Sequence, residues 1–323
     1  MKDFNGKIAF ITGGGSGAGF GQAQILSEAG CKVVLADIRQ DHLDQAMAHF
    51  SAAGAEAHAI RMDITDREDY RKAAELVEEW YGSCPDILVL TAGVNAFGPA
   101  EASTFEDFDW IINVNLFGVI NGLVTFVPRM IKAGKKGHIA VTGSLGGLSG
   151  GPTTAPYSAS KAAVINLCES YYEALKPYGI GVTCFCPGNM NTNIHEATMT
   201  RPASLMNTGY YESADSIEMY RRHNILGMDI REVGERTKKA MEEGVVLCIP
   251  YDEPDRMCAD ILQETVDYCT VEGLRRKEER DRSGSKNNSQ DAAELKSLAD
   301  ARAVGFATAK KELGWVDDQK KLR

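Results

Sequence analysis

The first residues able to do chemistry together are a tyrosine and a lysine four positions apart, in Tyr157-Ser158-Ala159-Ser160-Lys161. On a helix that spacing puts both side chains on one face, where an ammonium stabilises phenolate and lowers the pKa of the phenol. A free tyrosine titrates at about 10. The pairing is therefore a way to make a phenol act as a base near neutral pH. Ser144 stands thirteen residues upstream, just after the strand-like run His138-Ile139-Ala140-Val141-Thr142. A strand end next to a helix start brings such a hydroxyl and the phenol together over one substrate oxygen. Taken singly, Tyr157 reads as a half-buried aromatic, Lys161 as a solvated charge and Ser144 as a turn former.

A second feature lies near the start of the chain. After an apolar run comes Thr12-Gly13-Gly14-Gly15-Ser16-Gly17-Ala18-Gly19, opening into a helix. Missing side chains let the backbone approach a pyrophosphate, and the free N–H groups and dipole of the helix start attract its charge. The next strand ends in Leu35-Ala36-Asp37, where a carboxylate can accept from the hydroxyls of an adenosine ribose. Asp37 repels a 2′-phosphate, and neither Ser16 nor Ile38 offers a cation for one. Arg39 is the only basic side chain close by, so the expected cofactor is NAD rather than NADP.

These motifs need a scaffold that collects strand ends on one side. From residue 7 to about 250, short β-branched runs alternate with longer amphipathic stretches, which is the pattern of a parallel sheet flanked by helices. The strand candidates are 7–12, 32–37, 56–63, 86–91, 137–143, 180–186 and 245–249. They predict an α/β fold with one doubly wound, Rossmann-type parallel sheet of seven strands. Thr65-Asp66-Arg67-Glu68 and Thr104-Phe105-Glu106-Asp107 each place a hydroxyl before a carboxylate, predicting helices over about 66–82 and 105–133. Asn113, Asn115 and Asn121 are odd residues for the interior of that second helix. Residues 190–228 break the rhythm and read as an excursion that covers a substrate. Residues 1–254 form the expected catalytic and cofactor-binding domain. The charged stretch 255–323 reads as a helical C-terminal extension, with a linker at 283–289 and a further short helix ending near Gly314-Trp315.

Composition narrows the function classes. The 323 residues are 44% hydrophobic and 25% charged, enough apolar material for a full core. Lys and Arg number 35 against 45 Asp and Glu, a net charge of −10 that disfavours nucleic acid and anionic membranes as partners. The runs 87–90 and 245–249 fall far short of a membrane span of about 20 residues, and Met1 to Lys7 carries no signal-like apolar region. The protein is expected in the cytoplasm, with its eight cysteines reduced. No Cys-x-x-Cys pair or His-Glu-x-x-His run suggests a metal, and Cys184 and Cys186 read as packed strand residues.

The glycine spacing Thr-Gly-x-x-x-Gly-x-Gly with the Tyr157/Lys161 pair resembles the short-chain dehydrogenase/reductase family, over residues 7 to about 250. The resemblance implies that Tyr157 is the general acid/base. It further implies that Lys161 binds the nicotinamide ribose and lowers the phenol pKa, that Ser144 positions the substrate oxygen, and that Asn115 holds a water in a proton relay. Cofactor contacts are implied at Thr12, Gly13, Gly15, Ser16, Gly17, Gly19, Asp37, Asp63, Ile64, Ala92, Gly93, Pro187, Gly188 and Thr192, besides Tyr157 and Lys161. One motif departs from the pattern: Thr91-Ala92-Gly93 stands where the family has Asn-Ala-Gly. The family asparagine braces the sheet, and a threonine can still donate and accept.

At finer grain, Gly17-Ala18-Gly19-Phe20-Gly21, Phe108-Asp109-Trp110-Ile111-Ile112, Gly118-Val119-Ile120-Asn121-Gly122 and Asn193-Ile194-His195-Glu196 resemble the Cα-dehydrogenases of bacterial lignin β-aryl ether breakdown. That likeness implies oxidation of a benzylic secondary alcohol in a small aromatic substrate. Met199, Met206, Tyr210, Tyr211, Met219 and Tyr220 form an apolar and aromatic set able to cover an aryl group, and Asn193 and His195 are candidates to meet its polar groups. Steroid, polyol or keto-ester substrates, and a non-catalytic NAD-binding regulator, are the alternatives. Family members are usually dimers or tetramers, so a homo-oligomer is expected, with Val164, Leu167 and Leu175 as a compatible apolar face.

Overall fold

The apolar runs become strands β1 (Ile8–Thr12), β2 (Lys32–Asp37), β3 (Ala57–Arg61), β4 (Ile87–Leu90), β5 (His138–Thr142), β6 (Gly181–Phe185) and β7 (Leu247–Cys248). All pair in parallel, in the order β3-β2-β1-β4-β5-β6-β7. Every residue of β1, β4 and β5 is buried. Covered on both faces, such strands are written as near-continuous apolar runs instead of alternating ones. The strand order reverses between β1 and β4, and a cleft forms outside the carboxyl ends of the strands at such a switch point. Thr12, Asp37, Leu90, Thr142 and Phe185 are those ends.

The computed structural model describes residues 1–206, 209–210, 214–252, 254–269 and 271–283. Helices α1 (Gly17–Glu28), α2 (Gln40–Ala52), α3 (Arg67–Tyr81), α4 (Phe105–Ile112), α5 (Gly118–Lys132), α6 (Ala155–Leu175), α7 (Ala214–Ile225) and α8 (Ile230–Glu243) complete a unit spanning Met1–Pro250. Helices α9 (Pro254–Cys269) and α10 (Val271–Ser283) pack on each other in a second unit that begins at Tyr251. The expected linker beyond Ser283 and the expected helix near Trp315 lie outside the described residues.

Several boundaries differ from expectation for local reasons. The third strand stops at Arg61. Met62 turns away while its N–H still donates to Asp37 O at 2.9 Å. Helix α3 is capped by Asp66, whose carboxylate accepts from Glu68 N at 2.7 Å, and not by Thr65. The Thr65 hydroxyl is instead spent on Asp63 at 2.8 Å. The expected capping box of Thr104 and Asp107 is present.

The expected helix 105–133 is interrupted by one π turn, Asn113–Phe117. Its asparagines account for the interruption. Asn113 lines the cleft. Asn115 bonds the loop after β4, and Asn121 Nδ2 donates to Ile64 O at 3.0 Å. By length and composition the stretch Phe105–Lys132 could cross a membrane, but over half of its most apolar window is buried inside the protein. It serves as a core helix whose apolar side faces the sheet. Val164 and Leu175 are also interior, at 0% and 3% exposed, so they form no outer apolar face. Cys184 and Cys186 are buried, with Sγ atoms 3.6 Å apart.

Helix α8 lies so close to α1 that a Cβ on Gly21 would strike the Ile230 carbonyl, and one on Gly234 would strike the Gly21 carbonyl. Gly21→Ala must therefore part the two helices. We expect it to cost about 1–3 kcal/mol, read as a lower urea midpoint at unchanged m-value. An unchanged midpoint would mean that the contact tolerates a methyl group.

Candidate active site

The floor of the cleft is a hydrogen-bonded row of strand ends. Thr12 Oγ1 accepts from Thr91 N at 3.0 Å and Ala92 N at 3.2 Å, fixing the turn after β4 against β1. Thr91 Oγ1 donates to Gln22 Oε1 at 2.6 Å and lies 2.8 Å from Thr142 Oγ1. A hydroxyl has one proton, so Thr142 is the donor in that second contact. Gln22 Nε2 donates to Thr237 Oγ1 at 3.1 Å, and the Thr237 hydroxyl donates to Val233 O at 2.8 Å. The threonine standing in place of the family asparagine thus closes a brace that runs from α8 through α1 and β4 to β5.

Lys161 ends this row. Its Nζ donates to Thr142 O at 2.8 Å, and the residue is 5% exposed. Burial pulls its pKa down to about 8. Tyr157 is half-buried, and the Lys161 nitrogen lies 5.7 Å from its ring centre. Burial raises the phenol pKa, and hydrogen bonding with Ser144 opposes the rise. Ser144, 8% exposed at the end of β5, also accepts from Gly146 N at 3.1 Å.

Asn115 makes three bonds in full burial. Its Oδ1 accepts from Val94 N at 2.8 Å, and its Nδ2 donates to Val94 O at 2.9 Å and Ser160 Oγ at 3.1 Å. Ser160 donates in turn to Tyr157 O at 2.6 Å. The π turn is thereby tied to the loop after β4 and to the first turn of α6.

At the other end of the cleft the glycines serve close approach. Gly13 and Gly17 have φ of 66° and 54°. A Cβ would lie 2.9 Å from Ala92 Cα in the first case and 3.1 Å from Thr192 Cβ in the second. Ser16 makes no side-chain cap on α1 and no acid occupies the first turn, so its N–H groups are open to an anion. Asp37 is aimed by the backbone: Oδ2 accepts from Gly15 N at 3.1 Å and Oδ1 from Arg39 N at 3.0 Å.

A cavity of about 290 Å³ joins these parts. Of the predicted site residues, Gly13, Ser16, Gly17, Gly19, Asp37, Asp63, Ile64, Ala92, Gly93, Tyr157, Lys161, Pro187, Gly188 and Thr192 line it. Thr12, Gly15, Asn115 and Ser144 do not line it; they hold residues that do. Asp63 also accepts from Thr65 N at 2.8 Å. Among the described residues, no three His, Cys, Asp or Glu side chains gather so as to hold a metal ion.

The excursion after β6 supplies the opposite wall through the turns Asn193–Thr200 and Ala203–Leu205. Asn193, Ile194, Ala197, Thr200, Pro202 and Leu205 face the cavity, with Val94 and Trp110 across from them. His195 does not line it. Met199 and Met206 are 70% and 50% exposed and do not line the cavity. Tyr210 is buried, with its hydroxyl 2.7 Å from Ser103 Oγ. Tyr211, and the side chains of Met219 and Tyr220, lie outside the described residues. Sequence reasoning missed the anchor of this wall. Arg201, fully buried at the side chain, donates to Asp107 Oδ1 at 2.9 Å and Leu205 O at 2.6 Å, and its guanidinium stands 5.0 Å from the Trp110 ring centre.

The buried amine gives a pH dependence with a definite sign. Because the native Lys161 pKa lies below that of the unfolded chain, the penalty on the charged amine is present below about pH 8 and relieved above it. The folded state binds fewer protons there, so stability rises with pH in this window. We expect Lys161→Met to lose that rise between pH 8 and about 10, measured by urea midpoints at several pH values. Parallel profiles for the two proteins would contradict a depressed lysine.

The sequence profile of the short chain dehydrogenase family matches residues 7–202. The chain is 50% identical over 253 residues to a protein named C alpha-dehydrogenase from Sphingobium sp. strain NBRC 103272 / SYK-6, covering 78% of this chain and 83% of the relative. The crystal structure of the apo form of LigD from Sphingobium sp. strain SYK-6 superposes with TM-score 0.70 at 43% identity, over 83% of this chain and 99% of that one. A short chain dehydrogenase/reductase from Burkholderia phymatum, solved in complex with NAD, superposes with TM-score 0.76 at 30% identity, over 83% and 96%. With the glycine turn, the aimed Asp37 and the Ser144, Tyr157 and Lys161 cluster in one fold, the chain belongs to the short-chain dehydrogenase family of oxidoreductases.

Proposed function

We propose that this enzyme oxidises the benzylic secondary alcohol at Cα of a lignin-type β-aryl ether to the ketone, using NAD. The observation that carries the reading is the 50% identity to the C alpha-dehydrogenase over most of both chains, joined to a cavity that ends at Tyr157 and Lys161. The residues present fit NAD. The open N-terminus of α1 and the turn Gly13–Gly19 suit a pyrophosphate, and Asp37 is oriented to accept from ribose hydroxyls. Asp63 and Ile64 line the cavity where the adenine would lie, and Ala92, Gly93, Pro187, Gly188 and Thr192 line the part that would take the nicotinamide half. Bound NAD supplies the hydride acceptor.

The chain's own residues do the rest. Tyr157 takes the alcohol proton, and Ser144, set just behind the cavity wall beside the phenol, would turn its hydroxyl to the same oxygen as charge develops on it. Lys161, held by the Thr142 carbonyl, would offer its remaining N–H groups to the nicotinamide ribose and, as an ammonium, favour the phenolate. Asn115 has both amide hydrogens committed to Val94 and Ser160, so its side chain braces the turn that carries Tyr157, and a relay water would be held by its backbone carbonyl. Val94, Trp110, Ala197 and Leu205 offer an apolar slot for an aryl ring, and Asn193 and Thr200 offer polar contacts at its edge.

We further propose that the enzyme works in the cytoplasm as a homo-oligomer. Phe117 and Val124, 41% and 61% exposed, lie seven residues apart along one stripe of the π turn and α5, with exposed Pro128 beyond them. A second copy packing there would cover the stripe.

The test mixes purified protein with NAD and a guaiacylglycerol-type aryl ether and follows reduced nicotinamide by absorbance. We expect reduction with the aryl ether and little with simple secondary alcohols, and a loss of about 10²–10⁴ in turnover for Tyr157→Phe. Turnover confined to other alcohols would overturn the substrate. Near-normal turnover of the variant would overturn the role of Tyr157.

A further inference from the structure

The adenosine end of the cavity holds a charge cluster assembled from distant parts of the chain. Arg39 follows Asp37 by two residues and lines the cavity. Its Nε and Nη2 donate to the two oxygens of Asp41 at 2.9 and 2.5 Å, and its Nη1 donates to Glu196 Oε2 at 3.0 Å. His42 Nε2 stands 4.0 Å from the same Glu196 oxygen. The Arg39 backbone N–H is used as well, on Asp37. One guanidinium is thus held by two carboxylates, one of them brought from 157 residues away by the wall after β6.

An arginine at this place, left to itself, is the natural receptor for a ribose 2′-phosphate, because its planar fork matches phosphate in a bidentate pair. Here the fork is already closed on Asp41, and a third donor is closed on Glu196. A phosphate that displaced either carboxylate would meet it as a like charge a few ångströms away. The side chains of Arg39, Asp41 and Glu196 are 22%, 56% and 36% exposed, so salt moderates the effect without abolishing it.

We propose that Glu196 and Asp41 act as fixed counter-ions of Arg39 and thereby exclude NADP, so that cofactor choice is set on both walls of the cavity and not by Asp37 alone. This rests on the reading of the site as an NAD site. It also gives the wall after β6 a tie to the adenosine end, because the turn that carries Glu196 carries Asn193, Ile194 and Ala197 onto the cavity.

Calorimetric titration of NAD and NADP into the full chain tests it without any turnover. The wild type is expected to bind NAD and to discriminate against NADP. In the Glu196→Gln/Asp41→Asn double variant that discrimination should fall by about tenfold, more at low salt. The single variants should show part of the gain, and adding Arg39→Ala to the double variant should remove it. Unchanged discrimination in a double variant that still binds NAD would overturn the proposal. So would a gain that survives loss of Arg39, or a double variant unable to bind either nucleotide, which would make the cluster a support of the site instead. A wild type that binds neither nucleotide would overturn the NAD reading itself.

Discussion

The site depends on a line of buried and part-buried hydrogen bonds whose proton directions are all determined. Thr237 donates to the backbone of its own helix and accepts from Gln22. Gln22 accepts from Thr91, Thr91 accepts from Thr142, and the Thr142 carbonyl receives the Lys161 ammonium. Each link leaves the next group one role, because a buried donor or acceptor without a partner costs about 1–3 kcal/mol. The line fixes the carboxyl ends of β4 and β5 relative to α1. It leaves Lys161 beneath Tyr157 as a buried amine whose charge costs enough to bring its pKa to about 8.

Around that line the fold places its other functional parts at one edge. The order of strands opens a cleft where β1 and β4 diverge from their crossovers. The nucleotide side is built from backbone, glycine turns and the N-terminus of α1, so it has little freedom to vary. The opposite wall is a series of short turns, held by the buried Arg201–Asp107 pair over Trp110 and by the Arg39–Glu196 pair at the adenosine end. Removing one partner of a fully buried pair strands a charge. Substrate shape can therefore be altered at Ala197, Thr200 or Leu205 while the frame stays in place.

Much of this was legible in the residues alone. The seven strands announced themselves because a sheet covered on both faces needs unbroken apolar runs, and Tyr157, Lys161 and the glycine turn because their spacing is local. What escaped was set by tertiary contact. The π turn exists because Asn115 reaches the backbone of Val94, which no helical periodicity encodes. Thr65 lost its capping role to a bond with Asp63. Met199 and Met206 carried the composition of a substrate cover yet face solvent, and Val164 and Leu175 carried that of an interface yet lie inside. Ion pairs joining residues 94 and 157 positions apart have no signature in a sequence read once.

The most direct measurement uses a guaiacylglycerol-type aryl ether carrying deuterium at Cα, incubated with the enzyme and NAD, with the label traced by mass spectrometry. Hydride transfer at that carbon predicts one deuterium in the reduced nicotinamide, an unlabelled ketone product, and slower turnover than with the protium substrate. Deuterium retained in the product or released to water would contradict the account, because the carbon bearing the hydroxyl that Tyr157 deprotonates would then not be the one that gives up hydride.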